Sequence, residues 1–293
     1  MLKFEPLPAE DIEHFDNNGY LIVRNALDQE TVARLVKAGD RLIDSDLKTN
    51  RQTASNGQYD GFRNTITLED TFIPLIDHER ILPTVVQLLG AHLHVITSHL
   101  INKKPDEPDS PLTTRLPGWH RDYAQATRDM GTVAIPRLLV KCAYYLTDLS
   151  EKNRGVTMVT PGSHLLTEKP EIPEGEADPI GAVEPSINPG DCLIFENRTY
   201  HAGAAHRGAD PRRAIMIGYG YRWVVPMDYR TQEQSFLDKL TPLQRYLVGE
   251  PFEDVQEFQF DGGRHPIAEW CEEHGIPKVR HPETQSARKL AAG

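Results

Sequence analysis

Arg137-Leu-Leu-Val-Lys-Cys-Ala-Tyr-Tyr-Leu146 is a near-continuous apolar run with branched and aromatic residues, and it reads as a strong buried strand. Shorter strands follow it. Val156-Thr-Met-Val159 is stopped by Pro161-Gly162, Asp191-Cys-Leu-Ile-Phe195 follows the turn pair Pro189-Gly190, and Arg212 to Trp223 is a long candidate. Upstream, His94-Val-Ile-Thr-Ser-His-Leu-Ile101 is also strand-like. Proline-bearing polar loops, Lys103 to Pro117 and Lys169 to Pro179, separate these strands. The first third differs. Ile12 and Phe15 mark a short amphipathic helix over 9–17 that ends at Asn17-Asn18-Gly19, and Tyr20-Leu-Ile-Val23 is a strand. Val32, Leu35, Val36, Ala38 and Leu42 predict a helix from Asp28, its cap, to Leu47. Residues 48–61 read as a loop, and Ile81 to Leu89 as a helix stopped by Gly90. Helical pattern returns at Gln232–Leu247, and the last ~15 residues look like a tail. The expected class is mainly β with flanking helices, in one domain. Residues 1–91 form a mostly helical support, 92–222 the β-core, and 223–293 an extension that closes a pocket or joins subunits, which leaves a homodimer open.

The 293 residues carry 32 Lys+Arg against 43 Asp+Glu, a net charge of −11. That balance argues against nucleic acid and against an anionic membrane surface. No stretch approaches the ~20 apolar residues of a membrane span. The N-terminus lacks an apolar signal region. Three cysteines, far apart and without a CxxC, exclude a disulfide scaffold and a cysteine-rich zinc site and fit a reducing compartment. The expectation is a soluble cytoplasmic protein.

His-x-Asp carries the chemistry, although with twelve histidines it is expected about once by chance. It occurs at His14-Phe-Asp16 and His120-Arg-Asp122, with a related His281-Pro-Glu283. In a helix, positions i and i+2 face apart, so His14 and Asp16 suit a solvated face. His281 sits in the polar tail. His120 and Asp122 follow Pro117-Gly118 and Trp119 at a strand start, where i and i+2 share a side. An imidazole and a carboxylate then converge as two legs of a facial metal site. His201, after a strand and before Ala202-Gly203, is the best third ligand. His206, in a polar turn that predicts solvation, and His164, in a tight turn, compete with it. Two histidines and a carboxylate suit non-haem Fe(II), but zinc uses the same residues. An arginine facing into a barrel needs a buried anion. Arg212 or Arg213, of which only one can point inward, would bind a 2-oxo acid beside the metal.

The ordered set Leu100-Ile-Asn-Lys103, Trp119-His-Arg-Asp122, Asn153-Arg-Gly155, Pro161-Gly-Ser-His164, Pro189-Gly-Asp191, His201-Ala-Gly203 and Arg212-Arg-Ala-Ile215 resembles the phytanoyl-CoA dioxygenase family. His14-Phe-Asp-Asn-Asn-Gly-Tyr-Leu-Ile-Val23 extends the likeness, which spans residues 10–222. The resemblance implies a double-stranded β-helix, or jelly roll, and Fe(II), 2-oxoglutarate and O2 as cofactors. It implies that His120, Asp122 and His201 bind iron and that Arg212 holds the distal carboxylate of 2-oxoglutarate. It places Tyr144 and His99 near that cosubstrate and Arg63 at a basic position lining the pocket. Ala202-Gly203 stands where some relatives have Gly-Ser, which puts one hydroxyl contact to cosubstrate in doubt, and Asn153-Arg-Gly155 has one residue more than the usual Asn-Gly. The reaction implied is oxidative decarboxylation to succinate and CO2, coupled to oxidation of a substrate C–H bond. Relatives that halogenate lack the carboxylate, so Asp122 argues against halogenation; hydroxylation is the usual outcome, and desaturation, ring rearrangement or endoperoxide formation occur in similar enzymes.

Trp119, Tyr123, Trp223 and Met227 are, with Arg63, candidate pocket residues for a small, partly apolar substrate such as a secondary metabolite or biosynthetic intermediate. A fatty acyl-CoA is the second substrate class, with only Lys103-Lys104 as a basic cluster for its phosphates. A zinc-dependent hydrolase and an inactive small-molecule binding protein are the readings from other classes.

Overall fold

The computed structural model describes residues 6–131, 135–251 and 265–278. Helix α1 (Ala9–Asn18) ends at Gly19, whose φ of 80° suits glycine and turns the chain into β1 (Tyr20–Val23). Helix α2 (Gln29–Ile43) is capped as expected, because the Asp28 carboxylate accepts from the Thr31 N–H at 2.7 Å. Then come β2 (Arg51–Thr53), β3 (Tyr59–Arg63), α3 (Leu82–Leu89), β4 (Leu93–Lys103) and α4 (Ala124–Met130). The second half holds β5 (Leu139–Tyr145), β6 (Thr157–Val159), β7 (Cys192–Glu196), β8 (His201–Gly203) and β9 (Arg212–Tyr221). Helices α5 (Gln234–Leu237), α6 (Pro242–Leu247) and α7 (Pro266–His274) complete the described chain.

Seven strands form one antiparallel sheet in the order β1-β7-β5-β9-β4-β3-β2, and β6 pairs with β8 in a small second sheet. The two sheets pack as a double-stranded β-helix with flanking helices. Two expectations for the N-terminal third are corrected. The stretch 48–61 holds β2 and β3, a hairpin with Arg51 opposite Phe62. It sits at the sheet edge and is largely polar, so alternating hydropathy does not reveal it. Arg51 closes the hairpin through Asp60 at 2.6 Å. The helical support therefore also supplies three strands of the large sheet. The tail over the last fifteen residues, and His281 within it, lie outside the described residues.

Strand alternation splits the core into two layers. Outward residues of the large sheet, among them Cys142, Tyr144, Ile194, Ile215 and Ile217, pack with Phe15, Leu35, Phe72, Leu82 and Val86 of the helical layer. Inward residues Ala143, Tyr145, Leu193, Phe195, Ala214 and Met216 meet Val156 and Met158. A register shift between Val95 and Thr97 reverses which side chains of β4 face inward. The layers are tied by Arg137, 5% exposed, which pairs with Glu196 at 2.6 Å and with Asp16 of α1 at 2.7 Å. Asp16 is thus an anchor rather than part of a solvated helix face. After β9 the chain returns to the bulge: Met227 N–H donates to Ile96 O at 2.7 Å, and Asp228 accepts from Thr97 Oγ1 and Ser98 N–H, each at 2.7 Å. No helix among the described residues is long and apolar enough to cross a membrane.

Candidate active site

His120 and His201 are brought together by backbone pairing. Each N–H donates to the other residue's carbonyl at 2.9 Å, so the loop before α4 is stitched to β8. Gly203 permits this close approach, since a Cβ there would lie 2.1 Å from Leu116 O. Asp122 follows two residues after His120. One donor atom from each of His120, Asp122 and His201 lies within 4.8 Å of the others. His120 Nε2 stands 3.9 Å from Asp122 Oδ1, and His201 Nε2 3.6 Å from Oδ2. Both imidazoles are oriented from behind. Nδ1 of His120 meets Gly118 O at 2.7 Å, and Nδ1 of His201 meets Thr199 O at 2.9 Å. Each Nδ1 therefore carries the proton and donates to a carbonyl, leaving the Nε2 lone pairs to converge on one point.

Electrostatics keep His201 and Asp122 in ligand form. Burial pushes His201 down to about 4, so it is neutral at physiological pH. Burial alone would raise Asp122, but Lys141, His201 and His120 hold it well below the usual carboxylate range. Lys141 Nζ lies 2.9 Å from Asp122 Oδ2 as an ion pair. The histidine shifts fix a sign for stability. Burial lowers His78, His99, His164, His201, His206 and His265 below the free imidazole. In the metal-free protein the unfolded chain takes up protons first as pH falls, so stability present above about 6.5 is lost progressively toward about 4. The melting temperature of the apo-protein is expected to drop across that interval in a thermal scan, and a flat profile would contradict the buried neutral histidines.

Arg212 stands elsewhere in the same cavity. It is 4% exposed, lies 5.7 Å over the Tyr145 ring and donates to Gly155 O at 2.8 Å, while its Nε has no partner. Arg213 points the other way and pairs with Asp40 of α2 at 2.8 Å. The alternation that left two arginines open is thereby settled for Arg212 as the inward one. Lys103, opposite Arg212 in register, is held by Asp106 at 3.2 Å. Thr157 lines the cavity and faces Gly203 across the small sheet, at the position where the sequence lacks a hydroxyl.

The cavity has a volume of about 420 Å³. His99, Arg63, Arg212 and the His120–Asp122–His201 group all line it. Tyr144 does not. It faces the helical layer, its ring 5.7 Å from His78 and its hydroxyl unpartnered, and its neighbour Tyr145 takes the inward face. In a run buried on both sides hydropathy does not reveal parity, which is why the one-residue shift went unseen. Tyr144→Phe should leave the melting temperature unchanged or raised and cosubstrate affinity unchanged, since it removes an unsatisfied buried hydroxyl.

The other pocket candidates are also displaced from the cavity lining. Trp119 stacks on Tyr200 and donates to Ala177 O at 3.0 Å, pinning the loop that follows β6. Tyr123 precedes α4 with φ 55°. Trp223 is 58% exposed and stacks on Tyr221, and Met227 lies on the outer surface beside the β4 bulge. His206 is buried rather than solvated, with Nε2 on Asp210 O, and His164 lies against Asp16 O. Neither joins the cluster. Sequence reasoning passed over Lys141 and Tyr59. Tyr59 hydrogen-bonds His99 inside the cavity. Lys141 had a signal, as the one cation in the middle of an apolar run buried on both faces.

Comparison with known proteins agrees with this geometry. "Dioxygenase andF" of Emericella variicolor is 24% identical over 260 residues, covering 83% of this chain and 85% of that protein. "Multifunctional dioxygenase prhA" of Penicillium brasilianum is 27% identical over 234 residues, 73% and 72% of the two chains. "Iron/alpha-ketoglutarate-dependent dioxygenase okaE" of Penicillium ochrochloron is 32% identical over 108 residues, 36% of this chain and 34% of that one. Among solved structures, the epimerase SnoN in complex with Fe3+, alpha ketoglutarate and nogalamycin RO shares the fold, with a TM-score of 0.55 and 22% identity over 73% of this chain and 83% of that one. The family described as Phytanoyl-CoA dioxygenase (PhyH) matches residues 15–214, well over half of the sequence, and the chain belongs to that family.

Proposed function

We propose that this chain is an Fe(II)- and 2-oxoglutarate-dependent dioxygenase that hydroxylates a C–H bond of a small organic molecule, a biosynthetic intermediate or secondary metabolite. The observation that carries the reading is the convergence of two imidazoles and one carboxylate in a cavity that also holds a buried arginine. The residues present fit both groups. The Asp122 carboxylate, set beside the two imidazole donors with Lys141 as its counter-ion, suits a metal ion, and Arg212 Nε lacks an acceptor and suits a carboxylate. Ferrous iron with 2-oxoglutarate and O2 supplies the oxidant for the substrate, the cosubstrate leaving as succinate and CO2. His120, Asp122 and His201 hold the metal, with Gly118 O and Thr199 O fixing the imidazoles. Arg212 holds the far carboxylate of the cosubstrate, Thr157 offers a hydroxyl near it, and His99 with Tyr59 forms a neighbouring wall. Burial, then Arg63, Lys141 and Arg212, hold His99 neutral.

A zinc hydrolase would use the same three ligands but give Arg212 no role. The acyl-CoA reading loses its basic cluster, because Lys103 is buried against Asp106. Three free, buried cysteines suit the reducing cytoplasm in which we place the enzyme. Residues 1–91, 92–222 and 223–293 act in this reading as support, metal-holding core and extension, the extension being the segment for any subunit contact. The test is anaerobic addition of Fe(II) and 2-oxoglutarate. A weak visible charge-transfer band should form in the parent and vanish in His120→Ala. Its absence from the parent would sink the oxygenase reading.

A further inference from the structure

Lys141 is the one charged side chain of β5, with Phe195 of β7 and Gly218 of β9 opposite it in register. It is 9% exposed and lines the cavity, where its ammonium lies 2.9 Å from Asp122 Oδ2. Asp122 is its one ion-pair partner among the described residues. The three converging donors are backed differently. Gly118 O and Thr199 O stand behind the imidazoles, whereas a cation stands behind the carboxylate. A cation there is unfavourable in two ways. Burying it loses hydration that an apolar side chain would not lose, and apolar residues often match or better such a pair in stability. It also repels a divalent metal at the three donors and so weakens metal binding. Neither fold stability nor metal affinity accounts for Lys141. Cosubstrate charge does not account for it either. A dication, the Asp122 carboxylate, Arg212 and a dianionic cosubstrate already balance, and Arg63 on the same lining adds a further positive charge.

A fixed positive charge at such a point does supply a bias between oxidation states. A metal going from ferrous to ferric gains one positive charge, and a neighbouring cation opposes that change by Coulomb repulsion. The effect is large only where the cation is close, held in place and poorly screened. Lys141 meets the three conditions. A single carboxylate separates it from the converging donors, it stands in the middle of a strand buried along its length, and both side chains of the pair are only 11% exposed. Phe195, opposite Lys141, packs on the His201 ring at 4.7 Å, so the strand pair that carries the cation also supports a second donor. We propose that Lys141 is a positioning residue of the metal centre, acting through Asp122 to hold bound iron in the ferrous state from which the oxygenase reaction starts. This rests on the oxygenase reading, which makes iron the resident metal. Groups around a ligand tune its metal in this way as well as orienting it.

The test is an anaerobic redox titration of the iron-loaded enzyme at saturating 2-oxoglutarate, with the ferrous charge-transfer band as the readout. Lys141→Met keeps the apolar stem and removes the charge. Its midpoint potential should fall by at least about 59 mV, a tenfold change in the ferric-to-ferrous ratio for one electron. Lys141→Arg keeps a cation and should change that ratio by less than about threefold. Should Lys141→Met fail to hold iron, Lys141→Gln, neutral but still a hydrogen-bond donor, is titrated in its place with the same expected fall. Loss of packing alone would not move the midpoint in this charge-dependent order. A midpoint unchanged in the neutral variant, or an equal fall in Lys141→Arg, overturns the inference. Either result beside a normal band in the parent sinks this inference alone, whereas a parent without the band sinks the oxygenase reading beneath it.

Discussion

Asp122→Ala is expected to abolish turnover and, before any metal is added, to lower the melting temperature. Two separate losses are involved. The carboxylate is one of three converging donors, and its removal leaves two imidazoles that cannot close a facial site. Metal affinity should fall by more than the roughly 10–100-fold that follows loss of a mere outer partner of a ligand. The carboxylate is also the counter-ion of Lys141, whose side chain is 11% exposed and 2.9 Å away. Stripping one member from a buried pair leaves an uncompensated charge and costs about 3 kcal/mol. In a chain of this size that is a fall of roughly 5 °C. The double variant Asp122→Ala with Lys141→Met removes the stranded cation and should recover most of the melting temperature while remaining inactive and without the charge-transfer band. Thermal scans of the apo-proteins and anaerobic Fe(II) titrations separate the two effects. A single variant that melts like its parent would show that Lys141 does not depend on Asp122.

What could be read from the sequence follows from where hydropathy and chemistry leave a local mark. The strands β5, β7 and β9 were legible because they are buried on both faces and bounded by turn residues. The same burial hid their parity. With apolar side chains on both sides of β5, nothing local says that Tyr145 rather than Tyr144 joins the inner layer between the two sheets. The choice between Arg212 and Arg213 is likewise made by distant partners: Asp40 of α2 draws Arg213 outward and Lys103 lies opposite Arg212. The grouping of His120, Asp122 and His201 was legible because two of them share a motif and the third follows a strand into a small-residue turn. Their convergence in space is made by the backbone bridge between the HxD loop and β8, which no sequence spacing announces. Trp119, Trp223 and Met227 show the opposite limit. They are bulky and near the site in sequence, but a loop residue's wall is decided by the loop's path, and each serves packing or lies at the surface. Lys141 could have been found, since a lysine inside an apolar strand must meet a partner.

Arg212→Gln is expected to raise the 2-oxoglutarate concentration needed for half-saturation by about 10–100-fold, the range for loss of a charge-assisted contact to a carboxylate. The guanidinium is 4% exposed and already positioned by Gly155 O and the Tyr145 ring, so little ordering is left to do when an anion arrives. Fe(II) affinity measured without cosubstrate should stay near the parent value, because Arg212 is not among the converging donors. Arg212→Lys keeps the charge but replaces the planar fork by a single ammonium, so its defect should fall between the parent and the glutamine variant. Arg213→Gln is the matched control one residue away. Its pair with Asp40 is partly exposed, at 23% and 41%, and such pairs contribute at most about 1 kcal/mol, so stability moves little and cosubstrate affinity not at all. Titrating 2-oxoglutarate against the charge-transfer band in all four proteins gives the comparison directly. Equal defects at 212 and 213 would mean that neither arginine holds the cosubstrate and that the unpartnered Arg212 Nε serves another ligand.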